Sequence, residues 1–305
     1  MLKQHIQEFL ESLEVEKHAS VLTVRNYRHY LARFLSFAGS IPTEKIDADL
    51  IRRYRLFLAR FVDEKTGLPL KHITQNYFLI SLRSFLRWCA RRDIRTYSPE
   101  KIELGKQQRQ SIRVLEKDQL EFLLRSPDVT TLPGLRDRTI LEMLFSTGLR
   151  VAELVGLNRD GVNVRRREFT VVGKGKKERL VFLSERAAYW IEKYMQARKD
   201  QFKPLLLRFQ GVKSGVAEGS SMRLTSRSVE RIVEKYRKRS HVSVPVTPHT
   251  LRHCLATDLL MNGADIRSVQ EILGHANISS TQIYTHVTNK RLREVHAAYH
   301  SGDRT

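Results

Sequence analysis

Residues 247–286 read TPHTLRHCLATDLLMNGADIRSVQEILGHANISSTQIYTH, and four of their side chains suit one kind of chemistry: His249, Arg252, His275 and Tyr284. A guanidinium donates in a planar fork that fits two oxygens of one phosphate. An imidazole donates a hydrogen bond or moves a proton near neutral pH. A phenol is a poor nucleophile at its usual pKa, but cationic neighbours favour its phenolate. No acid stands directly beside any of the four in sequence, which fits an anionic substrate. Two plainer readings compete. Any one of these residues would sit equally well on an amphipathic helix with surface histidines. His249 and His253 are also spaced i, i+4, as zinc ligands can be. Zinc proteases, however, put a glutamate beside the first histidine, where this chain has Thr250, and here Arg252 lies between the two.

The elements that must position these groups are legible around them. Thr247 and Pro248 read as an N-cap and a first-turn proline, so His249 falls in the opening turn of a helix and Arg252 shares its face. Leu255, Leu259 and Leu260 continue the buried side, and Asn262-Gly263 ends the helix. A short helix from Asp265 to Leu273 then stops at Gly274, with His275 just beyond. Tyr284 falls in another short helix, after Ser279.

PHTLRH followed by LGHANISSTQIYTH resembles the signature of the tyrosine recombinases (the phage integrase family), and most closely the Xer-type site-specific recombinases of prokaryotes. Members use two arginines, a lysine, two histidines and a tyrosine, so one more arginine and a lysine are expected upstream. STGLRVAEL resembles the first arginine motif and supplies Arg150; VVGKGKKERL resembles the hairpin lysine motif and supplies Lys174, with Lys176 its nearest rival. The resemblance runs nearly end to end and fills all six positions: Arg150, Lys174, His249, Arg252, His275 and Tyr284. Cys254 stands where a small hydroxyl residue is more usual in the family.

The resemblance implies a mainly α fold: an N-terminal helical (SAM-like) bundle, then an α+β catalytic domain with a small β-sheet. It implies that Tyr284 attacks a scissile phosphate to give a 3′-phosphotyrosyl link and a free 5′-hydroxyl. Arg150 and Arg252, aided by His275, would hold the non-bridging oxygens. Lys174 would protonate the leaving oxygen, and His249 would manage the phenol proton. Neither ATP, another cofactor nor a metal is implied. The implied partners are double-stranded DNA, a homo- or hetero-tetramer on two DNA sites, and a DNA translocase as candidate activator. A C-terminal helix over residues 289–300 is expected to dock on a neighbouring protomer. Resolution of chromosome or plasmid dimers is the leading role. A phage or mobile-element integrase, a type IB topoisomerase and a non-catalytic DNA-binding protein are the alternatives.

Composition points the same way. The 305 residues carry 54 basic and 33 acidic side chains, a formal charge of +21, with a pI near 10.2. Such an excess costs self-repulsion unless a polyanion neutralises it, so nucleic acid leads and an anionic membrane surface comes second. No apolar run approaches the roughly 18–20 residues that cross a bilayer. The opening MLKQHIQEFLESLEVEK carries acids throughout and lacks signal-peptide order, so a cytoplasmic protein is expected. Cys89 and Cys254 are then expected as buried free thiols.

Along the chain, residues 1–104 read as four helices of an N-terminal core-DNA-binding bundle. Their apolar positions are Ile6, Phe9, Leu10, Leu13; Val24, Tyr27, Leu31, Phe34, Leu35; Leu50, Tyr54, Phe57, Leu58, Phe61; and Leu79, Leu82, Leu86, Cys89. Thr23 is the expected N-cap of the second helix. The fourth carries Arg83, Arg87 and Arg91 at i, i+4, i+8, then Arg92, with no acid between Lys71 and Arg92. Like charges at that spacing destabilise a helix, so the stripe favours a surface for a phosphate backbone. Residues 105–112 read as a linker and 113–305 as the catalytic domain. There a helix at Lys117–Arg125 is expected, then an apolar one broken at Thr147-Gly148. Next come a β-hairpin turning at Gly173–Lys177, a helix from Glu185 and a short apolar strand at Pro204–Phe209. A loop at Gly211–Ser221 precedes a basic helix capped by Leu224-Thr225-Ser226 and running to about Arg239. The glycine–lysine run lacks the spacing of a P-loop.

Overall fold

The computed structural model describes residues 1–64, 66–105, 114–173, 178–209 and 222–274. The chain divides into two compact units, Met1–Gln110 and Ser111–Thr305. The expected loop at 211–221 and C-terminal helix at 289–300 lie outside the described residues, as does the expected linker apart from Gly105.

The first unit is a bundle of α1 (Leu2–Val15), α2 (Val21–Ala38), α3 (Ala48–Arg60) and α4 (His72–Ala90). The periodic apolar residues face inward. Phe9 meets Phe85 and Trp88 edge-on, with ring centroids 5.8 and 5.9 Å apart, and Phe34 meets Tyr54 at 5.0 Å. Such pairs contribute beyond their buried area. The cap of α2 is Ser20, not the expected Thr23: Ser20 Oγ accepts from the Thr23 amide at 3.2 Å. Thr23 is the third helical residue, and the exposed Val21 and Leu22 ahead of it carry no apolar periodicity that would mark the true start. Asn76, inside α4, pins Gly105 through two hydrogen bonds, from Nδ2 to the Gly105 carbonyl at 2.9 Å and from the Gly105 amide to Oδ1 at 3.1 Å.

The second unit is built around α6 (Leu132–Thr147), which is buried on almost every side. It contacts α5 (Lys117–Arg125), α8 (Glu185–Ala197), α9 (Ser226–Arg239) and α10 (Pro248–Met261). A helix enclosed this way would ordinarily be apolar all round. Instead it buries Arg136, Asp137, Arg138 and Glu142, and pairs them. Glu142 bridges Arg138 at 2.7 Å and Arg186 at 2.8 Å, and Arg186 reaches Glu121 at 2.6 Å, which ties α5, α6 and α8 together. A short α7 (Val151–Gly156) follows, then strands β1 (Glu168–Val172) and β2 (Glu178–Phe182) as an antiparallel pair. The register sets Phe169 against Val181 and Val171 against Arg179. The last described helix is α11 (Ile266–Leu273). The mainly α fold with a small sheet is as expected. Cys89 and Cys254 are buried and free, and burial pushes the Cys89 thiol up to about 12. No helix among the described residues is long and apolar enough to cross a membrane.

The expected strand at Pro204–Phe209 is absent. Only isolated bridges join Asn158 to Pro204 and Leu207 to Arg223. Leu205, Leu206 and Leu207 are all buried, so no face alternates. Side chains supplement scattered backbone bonds to Leu157, Met222 and Leu224: Arg198 donates to the Phe202, Pro204 and Leu205 carbonyls, each at 2.9 Å, and Arg136 to the Leu207 carbonyl at 2.8 Å. Arg198 also pairs with Asp200 at 2.5 Å, and its side chain is fully buried. Arg198→Met should therefore destabilise the chain by about 3 kcal/mol or more, by leaving a carboxylate and three carbonyls without their donor. Urea denaturation followed by circular dichroism checks this.

Candidate active site

The site begins where α6 stops. Thr147 Oγ1 donates to the Met143 carbonyl at 2.6 Å and accepts from the Leu149 amide at 3.2 Å, and Gly148 adopts a left-handed φ of 58°. Only glycine fits there: a Cβ would lie 2.6 Å from Leu273 Cδ2 and 3.0 Å from Leu255 Cδ2. That turn delivers Arg150 as the residue before α7. Its amide donates to Glu153 Oε2 and its Nη1 to Glu153 Oε1, both at 2.9 Å.

The second arginine comes from α10. Thr247 caps the helix by accepting from the Thr250 amide, and Pro248 fills the first turn as expected. Arg252 is only 2 % exposed. It donates from Nη1 to the Gly148 carbonyl and from Nη2 to the Leu273 carbonyl, both at 2.5 Å. Arg150 Nη2 donates to the next carbonyl along, that of Gly274, at 2.9 Å. Both acceptors lie at the C-terminal end of α11, where carbonyls lack helical partners and the helix dipole is negative. Gly274 closes α11 in the left-handed region, at φ 64°. The structure thus brings together two guanidiniums separated by about a hundred residues of sequence, on the two carbonyls immediately before His275 in sequence.

His249 sits in the first turn of α10, its ring edge-on to His253 with centroids 4.4 Å apart. Its pKa is lowered from the ordinary 6.5, by partial desolvation and by repulsion from Arg252 and Arg150. The residue as a whole is exposed, which limits the desolvation and gives the two cations more weight. At pH 7 the imidazole is neutral and able to accept a proton. Among the described residues no third histidine, cysteine or acid joins the His249–His253 pair as a metal-ligand cluster.

Two residues that the motif reading passed over complete the arrangement. Glu153 is 7 % exposed in its side chain and receives a second cation, Arg179 Nη2, at 2.7 Å. Burial works against its ionisation, but the Arg150 amide and the charges of Arg179 and Arg150 outweigh this and hold the carboxyl below its ordinary 4.5. Its position three residues after a helix-capping residue was the available signal. For Arg179 the signal was strand alternation, since it shares an inward face with Val181.

The chain matches the Phage integrase family across residues 113–291 and the phage integrase N-terminal SAM-like domain across residues 6–93. It belongs to the phage integrase family. Tyrosine recombinase XerD of Listeria innocua serovar 6a is 38% identical over 296 residues, covering 97% of this chain and 98% of that one. Tyrosine recombinase XerD of Pseudomonas aeruginosa is 36% identical over 301 residues, covering 97% and 96%. Of solved structures, the Tn1549 transposon integrase in complex with transposon right end DNA superposes with a TM-score of 0.73 at 20% identity, covering 97% of this chain and 99% of that one. The XerH site-specific recombinase bound to palindromic difH substrate gives 0.68 at 21%, covering 97% and 84%. At those identities the two structures share the fold.

Of the six site positions expected for a phage integrase family member, the structure describes Arg150, His249 and Arg252; it holds the two arginines at the end of α11 and His249 near enough to feel both charges. Lys174, Lys176, His275 and Tyr284 lie outside the described residues. In the first unit Arg91 is exposed, Arg83 is half-buried, and Arg87 pairs with Glu100 at 3.2 Å across the surface. Arg92 is taken up by Glu16 at 2.6 Å and by the Trp88 ring.

The depressed His249 pKa has a checkable sign. The folded state resists protonation that the unfolded state accepts, so this residue costs stability as pH falls through 6.5 toward the folded value. Histidine-ring NMR titration should place the His249 midpoint below 6.5, and Arg150→Gln should move it upward by removing one repelling charge. A midpoint at or above 6.5 would contradict this geometry.

Proposed function

We propose that this chain is a site-specific DNA recombinase of the Xer type, which cuts and rejoins duplex DNA through a 3′-phosphotyrosyl intermediate. The observation that carries the reading is the convergence of Arg150 and Arg252 on one helix end, immediately before His275 in sequence, with a neutral His249 within the field of both. Near-full-length identity to XerD proteins supports the Xer type over a mobile-element integrase.

In this reading Tyr284 Oη attacks the scissile phosphorus and the bond to the 5′-oxygen breaks. The phenol proton passes to His249, whose lowered pKa keeps it unprotonated and ready, and Lys174 gives a proton to the leaving oxygen. Arg150, Arg252 and His275 hold the non-bridging oxygens, where charge grows in the transition state. One phosphodiester replaces another, so the step needs neither ATP nor a metal. A second DNA end then reverses the attack. Arg83, Arg87 and Arg91 contribute contacts to the phosphate backbone, which position the enzyme without reading sequence. Four protomers assemble on two DNA sites in the cytoplasm, either as one kind of chain or as two, with residues 289–300 linking neighbours and a DNA translocase as activator. Residues 1–104 and 113–305 serve as the DNA-binding and catalytic domains, joined by the linker at 105–112.

Incubation with a nicked duplex carrying the cognate site, followed by denaturing electrophoresis, tests the chemistry. The unsubstituted chain should give a covalent protein–DNA adduct. Tyr284→Phe should give none while binding the duplex with affinity within about threefold, since the hydroxyl acts only in the chemical step. An adduct in that variant would remove Tyr284 from its role.

A further inference from the structure

Arg179 stands opposite Val171 in the hairpin, and directly opposed residues of an antiparallel pair share a face. Val171 is buried, so Arg179 is a cation at an inward position, its side chain 12 % exposed. Among the described residues its one hydrogen-bond partner is Glu153 Oε2, and its Nε and Nη1 are buried without a partner there. Its Cδ and Nε press on Gly274 so closely that a Cβ there would lie 2.6 Å away. A leucine would fill such a place without the desolvation cost of a guanidinium, so packing alone does not account for this residue.

The carboxylate that Arg179 contacts is the one that holds Arg150. Glu153 therefore divides a single negative charge between two guanidiniums, and the three groups together keep one net positive charge. Without Arg179, Glu153 would be matched wholly against Arg150, and the attraction Arg150 exerts on an arriving phosphate would fall. We propose that Arg179 is a positioning residue for the reaction: it compensates Glu153, so that the group around Arg150 keeps a net positive charge toward the scissile phosphate. It also anchors β2, which follows Lys174 by a few residues in sequence, to the Arg150 turn. This rests on the phosphate chemistry proposed above.

The test compares Arg179→Gln, Arg179→Lys, Glu153→Gln and the Arg179→Gln/Glu153→Gln double variant with the unsubstituted chain, each full length and confirmed folded by circular dichroism. At saturating nicked duplex, Arg179→Gln should slow covalent adduct formation by about tenfold or more, a weaker form of losing a transition-state donor. Arg179→Lys should recover most of that rate. The double variant should be faster than Arg179→Gln alone, because the charge to be compensated is gone while glutamine still accepts from the Arg150 amide. Adduct formation by Arg179→Gln at the unsubstituted rate, or a double variant no faster than Arg179→Gln, overturns the proposal. A second arm does not depend on cleavage. The slope of log affinity against log salt on intact duplex should fall by about 0.9 in Arg179→Gln, as for one lost phosphate contact, and return in the double variant. An unchanged slope also overturns the proposal. If the unsubstituted chain forms no adduct, the recombinase reading fails, and the salt arm still decides the role of Arg179. Should Arg179→Gln not fold, Arg179→Lys and the double variant carry both arms.

Discussion

Two guanidiniums, Arg150 and Arg252, are held as neighbours despite their repulsion, and the rest of the catalytic unit follows from how that is done. Backbone carbonyls at a helix end take them: Leu273 accepts from one and Gly274 from the other. A helix C-terminus offers both unpaired oxygens and a partial negative charge, so it suits two cations without fully neutralising either. The carbonyl of Gly148 takes the other terminal nitrogen of Arg252, which locks the break after α6 to the end of α11. Glycine is needed at both breaks, at 148 because Leu273 and Leu255 crowd it and at 274 because Arg179 does. These sterics and the charge placement are one design: the close approach that excludes a side chain is also what lets the carbonyls be reached.

The same unit buries more charge than its apolar pattern suggests. Arg136, Asp137, Arg138 and Glu142 lie on the most enclosed helix, and Arg198 is fully buried beside it. Each has an ionic partner, so the desolvation is offset rather than left standing. Burial raises the Glu142 carboxyl above its ordinary 4.5, and the flanking Arg138 and Arg186 counter it only in part. Such networks fix geometry more than they add net stability, and they hold the elements that carry Arg150 and Arg252 in place.

Much of the local structure was legible in the chain because its signals are local. The cap at Thr247, the proline at 248, the glycine stops at 148 and 274 and the three-residue step from His249 to Arg252 all act within one or two helical turns. The boundaries of α5 and the alternation of the hairpin follow for the same reason. What escaped depends on contacts between distant segments. Glu153 and Arg179 matter through an ion pair 26 residues apart in sequence, and Arg150 finds Gly274 across 124. The stretch Pro204–Phe209 misled because an apolar run without period fits a strand or a buried coil equally well. Its backbone is satisfied partly by backbone groups of Leu157, Met222 and Leu224 and partly by the side chains of Arg198, Arg136 and Tyr194, which no local pattern ties to it. The cap of α2 was misplaced because apolar periodicity, the guide used there, begins only inside the helix.

The central claim is that Arg150 and Arg252 act on the negative oxygens of one phosphate. The most direct measurement replaces the scissile phosphate of a nicked duplex by an uncharged methylphosphonate and follows the rate at which the phosphorus becomes bonded to protein, with and without Arg252→Ala. If the arginines stabilise developing charge, the penalty of Arg252→Ala should be about a hundredfold or more on the phosphate and should shrink to tenfold or less on the methylphosphonate, which leaves one charged oxygen fewer to hold. An equal penalty on both substrates would mean that Arg252 only shapes the fold, and would contradict the account.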